Sequence, residues 1–254
     1  MPAPVLETRD LTIRFGGQVA VDAVSCAFHP GTLTAIVGPN GAGKTTYFNL
    51  ISGQLRASAG GVFLRGRDIS RLSTPERARA GLGRAFQLTN LFPDLTVLEN
   101  VRLAVQARAG VFLRCLGLAI DRADLHDRAR HYLDRVRLAD KSAQAAASLN
   151  HGDQRKLEVA ILLALEPSIF MFDEPTAGMS VDEVPVILDL IEAIKAEGDK
   201  TILLVEHKMD VVRRLADRVI VLHNGALVAD GEPAEIVASP IVQEAYLGVR
   251  PANA

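Results

Sequence analysis

Glycines recur in the run Gly38-Pro39-Asn40-Gly41-Ala42-Gly43-Lys44-Thr45-Thr46, which directly follows the apolar stretch Leu33-Thr34-Ala35-Ile36-Val37. Glycines at Gly38, Gly41 and Gly43 let the backbone curl until successive N–H groups face inward. A helix opening at about Gly43 adds its positive end. Such a concavity suits a multiply charged anion, and the spacing Gly-x-x-x-x-Gly-Lys-Thr is met in full: Lys44 reaches the β- and γ-phosphates of a nucleotide, and Thr45 offers a hydroxyl to Mg²⁺. A plain Gly-rich turn with an exposed lysine would require neither the strand before it nor the helix after it.

A second pair of groups follows four apolar residues. Ser168-Ile169-Phe170-Met171-Phe172 runs into Asp173-Glu174, and the carboxyl end of a strand in an open α/β sheet delivers side chains to the ligand crevice. There Asp173 would hold Mg²⁺, directly or through water, and Glu174 would polarise the water that attacks the γ-phosphorus. The cofactors expected on these grounds are ATP and Mg²⁺. An acidic pair at a strand end is commonly no more than that; downstream of a complete phosphate loop it gains a purpose.

These groups need a scaffold. Residues 5 to 30 alternate as short antiparallel strands do, with turn signals at Gly16-Gly17 and His29-Pro30-Gly31. After the phosphate loop come a helix through Leu50, the strand-like Val62-Phe63-Leu64, and a turn near Gly66. Residues of roughly 90 to 150 read as mostly helical, punctuated by Pro93, Gly110 and Gly117. The runs at 168–172, 201–205 and 218–222 read as buried parallel strands, with a crossover helix over 182–197 whose expected N-cap is Asp182, and His223-Asn224-Gly225 as a hairpin turn. The fold class expected is α/β: a P-loop NTPase core with a parallel sheet, an N-terminal antiparallel β-layer and an inserted helical subdomain at about 90–150. The chain of 254 residues then forms one domain, with a C-terminal tail from about 233 to 254.

Bulk properties narrow the function. A formal net charge of −2 gives no general attraction to nucleic acid. The two cysteines, Cys26 and Cys115, lack metal-type spacing and read as reduced, buried thiols of a cytosolic protein. No stretch approaches the ~20 apolar residues that span a bilayer. Arg108, Arg114, Arg122, Arg128, Arg130, Arg135 and Arg137 crowd one segment, but Leu125, Ala129, Tyr132, Leu133 and Val136 recur at helical steps and leave the arginines on a solvated face. A surface for membrane headgroups or a partner is the sharper alternative.

Further residues resemble one family, the ATP-binding-cassette (ABC) ATPases. Leu149-Asn150-His151-Gly152-Asp153-Gln154-Arg155 resembles their signature segment, usually Leu-Ser-Gly-Gly-Gln, which contacts the γ-phosphate of ATP held by an opposite subunit. Asn150 stands for the serine and His151 for the first glycine, while Gly152 and Gln154 match. The resemblance implies that Gln87, in Gly83-Arg84-Ala85-Phe86-Gln87, reaches Mg²⁺ and the attacking water; that His207 is the switch histidine beside the γ-phosphate and Glu174; and that Phe15 stacks on adenine, where tyrosine is more usual. His29, His126, His131 and His223 read as structural hydrogen bonders. Ala177-Gly178-Met179-Ser180 resembles the family's dimer-contact loop, with Ser180 in place of aspartate. The resemblance extends from about Val5 to Gly248. Arg14-Phe15-Gly16-Gly17, Glu206-His207-Lys208-Met209 and Ala245-Tyr246-Leu247-Gly248 are similar to the longer ATPase subunit of branched-chain amino-acid importers.

That family implies a dimer closing on two MgATP, formed with a related but distinct ATPase subunit or with a second copy of this chain. It also implies two transmembrane permease subunits, a periplasmic solute-binding protein at one remove, no nucleic-acid partner, and a peripheral position on the cytoplasmic face of the membrane. The region from Gln87 to Asn100 is the expected permease contact. Rival readings are the ATPase of a lipid or lipopolysaccharide exporter, a soluble ABC ATPase working outside transport, and a nucleotide-binding module without turnover.

Overall fold

Apolar side chains in β1 (Leu6–Phe15) and β2 (Gln18–Phe28) fall on one face, so the two strands fold back at Gly16-Gly17 and pair antiparallel from Phe15↔Gln18 to Leu6↔Phe28. A computed structural model describes residues 3–85, 91–110 and 122–239. Within them β4 (Ala59–Leu64) and β5 (Arg67–Asp68) complete a four-stranded antiparallel sheet in the order β2-β1-β4-β5. Its buried face, with Leu6, Leu11, Ile13, Val24 and Phe28, packs on Tyr47, Phe48 and Ile51 of α1 (Lys44–Ser52) and on Ile36 and Val205 of the second sheet.

The second sheet is built from runs whose residues are buried on both faces, the pattern of a parallel sheet covered on each side. β3 (Leu33–Val37), β7 (Ile169–Asp173) and β8 (Thr201–Val205) are buried throughout. With β6 (Leu82–Ala85), β9 (Arg218–His223) and β10 (Ala226–Gly231) they form six strands in the order β10-β9-β3-β8-β7-β6. All pairings are parallel except β9 with β10, which the Asn224-Gly225 turn joins as a hairpin. The far face carries α5 (His151–Ala164), α6 (Val184–Ala196) and α7 (Met209–Leu215), through Leu157, Ile187, Ile191 and Leu215 against Phe170, Phe172, Ile202 and Leu204. The last described helix, α8 (Pro233–Ala238), buries Ile236 against Val219 and Val221.

Between β6 and β7 the chain forms α3 (Val97–Arg108), α4 (Arg122–Arg135) and α5, which pack on one another. Leu125, Ala129, Tyr132, Leu133 and Val136 are buried, as their spacing predicts. On the other side Arg128 pairs with Glu166 at 3.4 Å, Arg130 with Asp127 at 3.4 Å and Arg135 with Glu197 at 2.5 Å, so acids of this chain occupy those guanidinium groups. Cys26 is buried, and burial pushes its thiol up to about 11. Cys115, Arg114 and the closing Ala245–Gly248 lie outside the described residues, as does most of the expected tail.

Two expectations change. The crossover helix begins at Val184 with Glu183, not Asp182, at its N-cap position, because the Glu183 carboxylate turns back to accept the Ser180 N–H at 3.1 Å and the turn winds one residue further. Pro185 still falls in the first turn, where its missing N–H costs nothing. β6 and α2 (Thr74–Arg79) were not expected from the pattern. In β6 Gly83 and Arg84 interrupt the apolar run; a Cβ on Gly83 would lie 2.4 Å from Leu162 and 2.7 Å from Pro167, so packing against α5 requires the glycine that weakens the strand signal. Among the described residues no helix is long and apolar enough to cross a membrane.

Candidate functional site

The phosphate loop follows from backbone geometry. Gly43 precedes α1 at φ 96°, and a Cβ there would lie 2.5 Å from the Ala20 carbonyl oxygen, so only glycine fits. No side chain caps α1, which leaves its first N–H groups for an anion. Lys44 is buried, and its ammonium donates to the carbonyls of Gly38 at 2.6 Å and Pro39 at 3.0 Å, lying across the loop. Burial pulls its pKa down, opposed by the negative charge of Glu174 and Asp173. Asn40, Gly41 and Thr45 are exposed at the rim, Pro39, Gly43 and Thr46 are half-buried, and Gly38 and Ala42 are buried. Tyr47, one turn further along the helix, is fully buried and hydrogen-bonds Thr8 at 2.8 Å, fastening α1 to the β-layer. Phe15, at the end of β1, is 52% exposed and offers a ring face to a base.

β8 lies between β3 and β7, so the carboxyl ends of these three strands bring the phosphate loop, Asp173-Glu174 and Glu206-His207 side by side. Asp173 is buried and its Oδ2 accepts a hydrogen bond from Arg84 at 2.7 Å. Burial raises its pKa, Arg84 opposes that, Glu174 adds to it, and Lys44 counters. Glu174 has φ 47°, a left-handed conformation uncommon for a residue with a side chain, and costs of order 1–3 kcal/mol. The twist swings its carboxylate off the strand line to within 3.5 Å of His207 Nδ1.

Sequence reasoning passed over the group behind the histidine. Glu206 is fully buried; Oε1 accepts the Thr176 hydroxyl at 2.9 Å, and Oε2 accepts the N–H groups of His207 at 2.8 Å and Lys208 at 3.1 Å. It ties the turn carrying His207 to the segment after Glu174. An acid closing a run of five buried strand residues was the available signal, since such a group must find donors.

The signature segment lies elsewhere on the chain: α1 packs on β2 and β8, whereas α5 packs on α3, α4 and β6. Asn150 is exposed and caps α5, its side-chain oxygen accepting the Asp153 N–H at 2.8 Å, so asparagine performs the capping that serine would. Gln154 donates to the Leu149 carbonyl at 3.1 Å. Asp153 is corrected: expected among nucleotide contacts, its side chain is buried and paired with Lys141 and, at 2.8 Å, with Lys156. Lys156 one turn along α5 and Lys141 from the segment before it hold the carboxylate inward. Gly152 is buried against Glu183, whose carboxylate accepts the Gly152 N–H. Gln87 lies outside the described residues.

Thr45 and Asp173 offer a hydroxyl and a carboxylate, hard oxygen donors that fit Mg²⁺. Among the described residues no group of three or more His, Cys, Asp and Glu side chains is placed to hold a metal ion by itself.

The glycine loop with Lys44 across it, the Asp173-Glu174 pair with His207 beside it and the Asn150-capped helix stand together in the fold of an ATP-binding-cassette ATPase. Residues 21–177 match the family model described as ABC transporter, and the chain belongs to that family, whose ATP-binding proteins hydrolyse ATP. Residues 226–252 match a second model, branched-chain amino acid ATP-binding cassette transporter. The chain is 37% identical over 253 residues to the high-affinity branched-chain amino acid transport ATP-binding protein LivG of Escherichia coli K12, covering 98% of this chain and 99% of that one. Among solved structures it is similar to the ADP conformation of MJ1267, an ATP-binding cassette of an ABC transporter, at 28% identity and TM-score 0.83, covering 98% and 100% of the two chains. It is also similar to the dimeric post-hydrolysis state of the cassette MJ0796 bound to ADP and Pi, at 25% identity and TM-score 0.75, covering 90% and 98%.

Proposed function

We propose that this chain is the ATP-hydrolysing subunit of an importer for branched-chain amino acids or related polar solutes. The convergence of Lys44, Asp173, Glu174 and His207 at the ends of neighbouring parallel strands carries the reading, and the C-terminal likeness to branched-chain amino-acid cassettes favours import over lipid export. Loop N–H groups and Lys44 bind the phosphates, and Phe15 stacks on adenine. Mg²⁺, when bound, neutralises charge on the β- and γ-phosphates; Thr45 and Asp173, with Gln87, are the residues that would hold it. Glu174 accepts the proton of the attacking water as the bond from the γ-phosphorus to its bridging oxygen breaks, giving ADP and phosphate. His207, held by Glu206, steadies Glu174.

The signature stretch of Asn150, Gly152 and Gln154 lies on a helix away from this chain's own cradle, so it serves a second subunit: a related ATPase or another copy. MJ0796, whose solved structure is dimeric with ADP and Pi, supports the arrangement. Closure of such a dimer around two nucleotides, and its opening after hydrolysis, would move two membrane permeases at the cytoplasmic face of the membrane, with a periplasmic solute-binding protein delivering the solute. A cleft of about 1000 Å³ opens between β6, α3 and α5, lined by Leu91, Arg108, Leu162 and Glu166, and Phe92 beside it is 55% exposed. This is the surface we assign to the permease.

Glu174→Gln is expected to keep ATP binding, to lower turnover about 10²–10⁴-fold and to accumulate an ATP-bound dimer. Lys44→Ala is expected to lose nucleotide. Unchanged ATP turnover in both variants refutes the reading. Crosslinks from Phe92 that never reach a membrane subunit refute the transport assignment alone.

A further inference from the structure

Arg84 is half-buried between segments that the nucleotide site uses, and its guanidinium has several partners. One arm, Nη2, donates to Asp173 Oδ2 at 2.7 Å. The other, Nη1, lies 2.7 Å from Asn49 Oδ1, 2.8 Å from Ser52 Oγ and 3.1 Å from Gln54 Oε1, at the end of the helix that starts with Lys44 and Thr45. The guanidinium also sits over the Phe48 ring, 4.8 Å from its centroid. Strand register explains the reach: Arg84 pairs with Met171, and Asp173 is two residues further along the same face of the neighbouring strand. In sequence Arg84 stands three residues before Gln87.

We propose that Arg84 is the positioning residue of the metal site: it fixes Asp173 relative to the phosphate-loop helix, so that one carboxylate oxygen is held by the guanidinium and the other is free for Mg²⁺. This rests on Asp173 being a metal-directed carboxylate, as proposed above. The guanidinium, held by partners on α1 and donating to one Asp173 oxygen, sets where the carboxylate points. Only a planar fork with donors on two sides can grip Asp173 and the Asn49-Ser52 turn together. Lysine, with one ammonium, can satisfy one side at a time. The stacking on Phe48 sets the plane of the fork, and with it the direction of the Asp173 carboxylate.

The test measures ADP binding by the full-length chain in EDTA and in Mn²⁺, with Mn²⁺ occupancy followed by electron paramagnetic resonance. Arg84→Met is expected to leave ADP affinity in EDTA unchanged and to weaken Mn²⁺ binding to the ADP complex about 10–100-fold, the range seen when a partner of a metal ligand is lost. Arg84→Lys should fall between Met and the parent, and Asp173→Asn should lose the metal-dependent gain altogether. If Arg84→Met keeps the parental Mn²⁺ affinity while Asp173→Asn loses it, the proposal is wrong and Asp173 keeps its assignment. If Asp173→Asn also keeps it, the assignment of Asp173 itself is wrong. Should Arg84→Met not fold, Asn49→Ala, Ser52→Ala and Gln54→Ala together release one arm and leave the charge in place: weakened Mn²⁺ binding supports the proposal, and unchanged Mn²⁺ binding overturns it.

Discussion

Removing the Glu206 carboxylate should damage both the stability of the domain and its turnover, in amounts that follow from the three hydrogen bonds it accepts. In Glu206→Ala the Thr176 hydroxyl, buried to 1% exposure, loses its acceptor outright. That loss costs about 1–3 kcal/mol. The amides of His207 and Lys208 belong to exposed residues, water reaches them, and each loses about 0.5–1.5 kcal/mol. The total of about 2–6 kcal/mol lowers the Tm by roughly 4–24 °C, since a chain near this size shifts by about 2–4 °C per kcal/mol. Glu206→Gln should cost under about 1 kcal/mol, because its oxygen can accept both amides while its NH₂ group donates to Thr176 Oγ. Calorimetric melts of both variants, paired with ATP turnover, read this directly. Alanine should lose turnover even at temperatures where it is folded, because His207 is then unanchored. An alanine variant that melts with the parent, or a glutamine variant as damaged as alanine, refutes the assignment of Glu206 as the anchor of the switch.

Two further expectations concern the cradle and the signature. Gly43→Ala forces a Cβ to 2.5 Å from a backbone oxygen at φ 96°, so it should cost about 2–4 kcal/mol and weaken nucleotide binding; equal melting and equal ADP affinity would contradict the geometry. Asp153 is buried, which alone would raise its pKa, but hydrogen bonds from Lys141 and Lys156 hold it below 3.8. A depressed carboxyl pKa stabilises the fold fully above the unfolded value and loses that contribution as pH falls through the folded value. Acid unfolding followed by circular dichroism should therefore show a shallower loss below pH 3.8 in Asp153→Asn, with lower stability at neutral pH; parallel curves for the two proteins would rule this out.

The parts legible in the sequence are those that a short stretch of chain decides for itself. Glycine at Gly43 is demanded by one backbone angle and one close approach, so the phosphate loop reads directly from spacing. Runs such as Leu33–Val37 and Thr201–Val205 announce buried parallel strands because both faces exclude water. The helical spacing of Leu125, Ala129 and Leu133 likewise foretold the buried side of α4 and the outward arginines.

What only the tertiary structure decided are the partners. Arg84 and Asp173 are 89 positions apart, and they meet because β6 and β7 happen to be neighbours in the sheet. Glu206 finds Thr176 across two loops 30 positions apart, and Asp153 turns inward because Lys141 and Lys156 flank it in space. Local chain chemistry sets which backbone shapes and which buried faces are available. A charged side chain in a low-dielectric interior, however, must pair with whatever donor the strand order brings to it, and strand order is a property of the whole packed chain, not of any stretch of it.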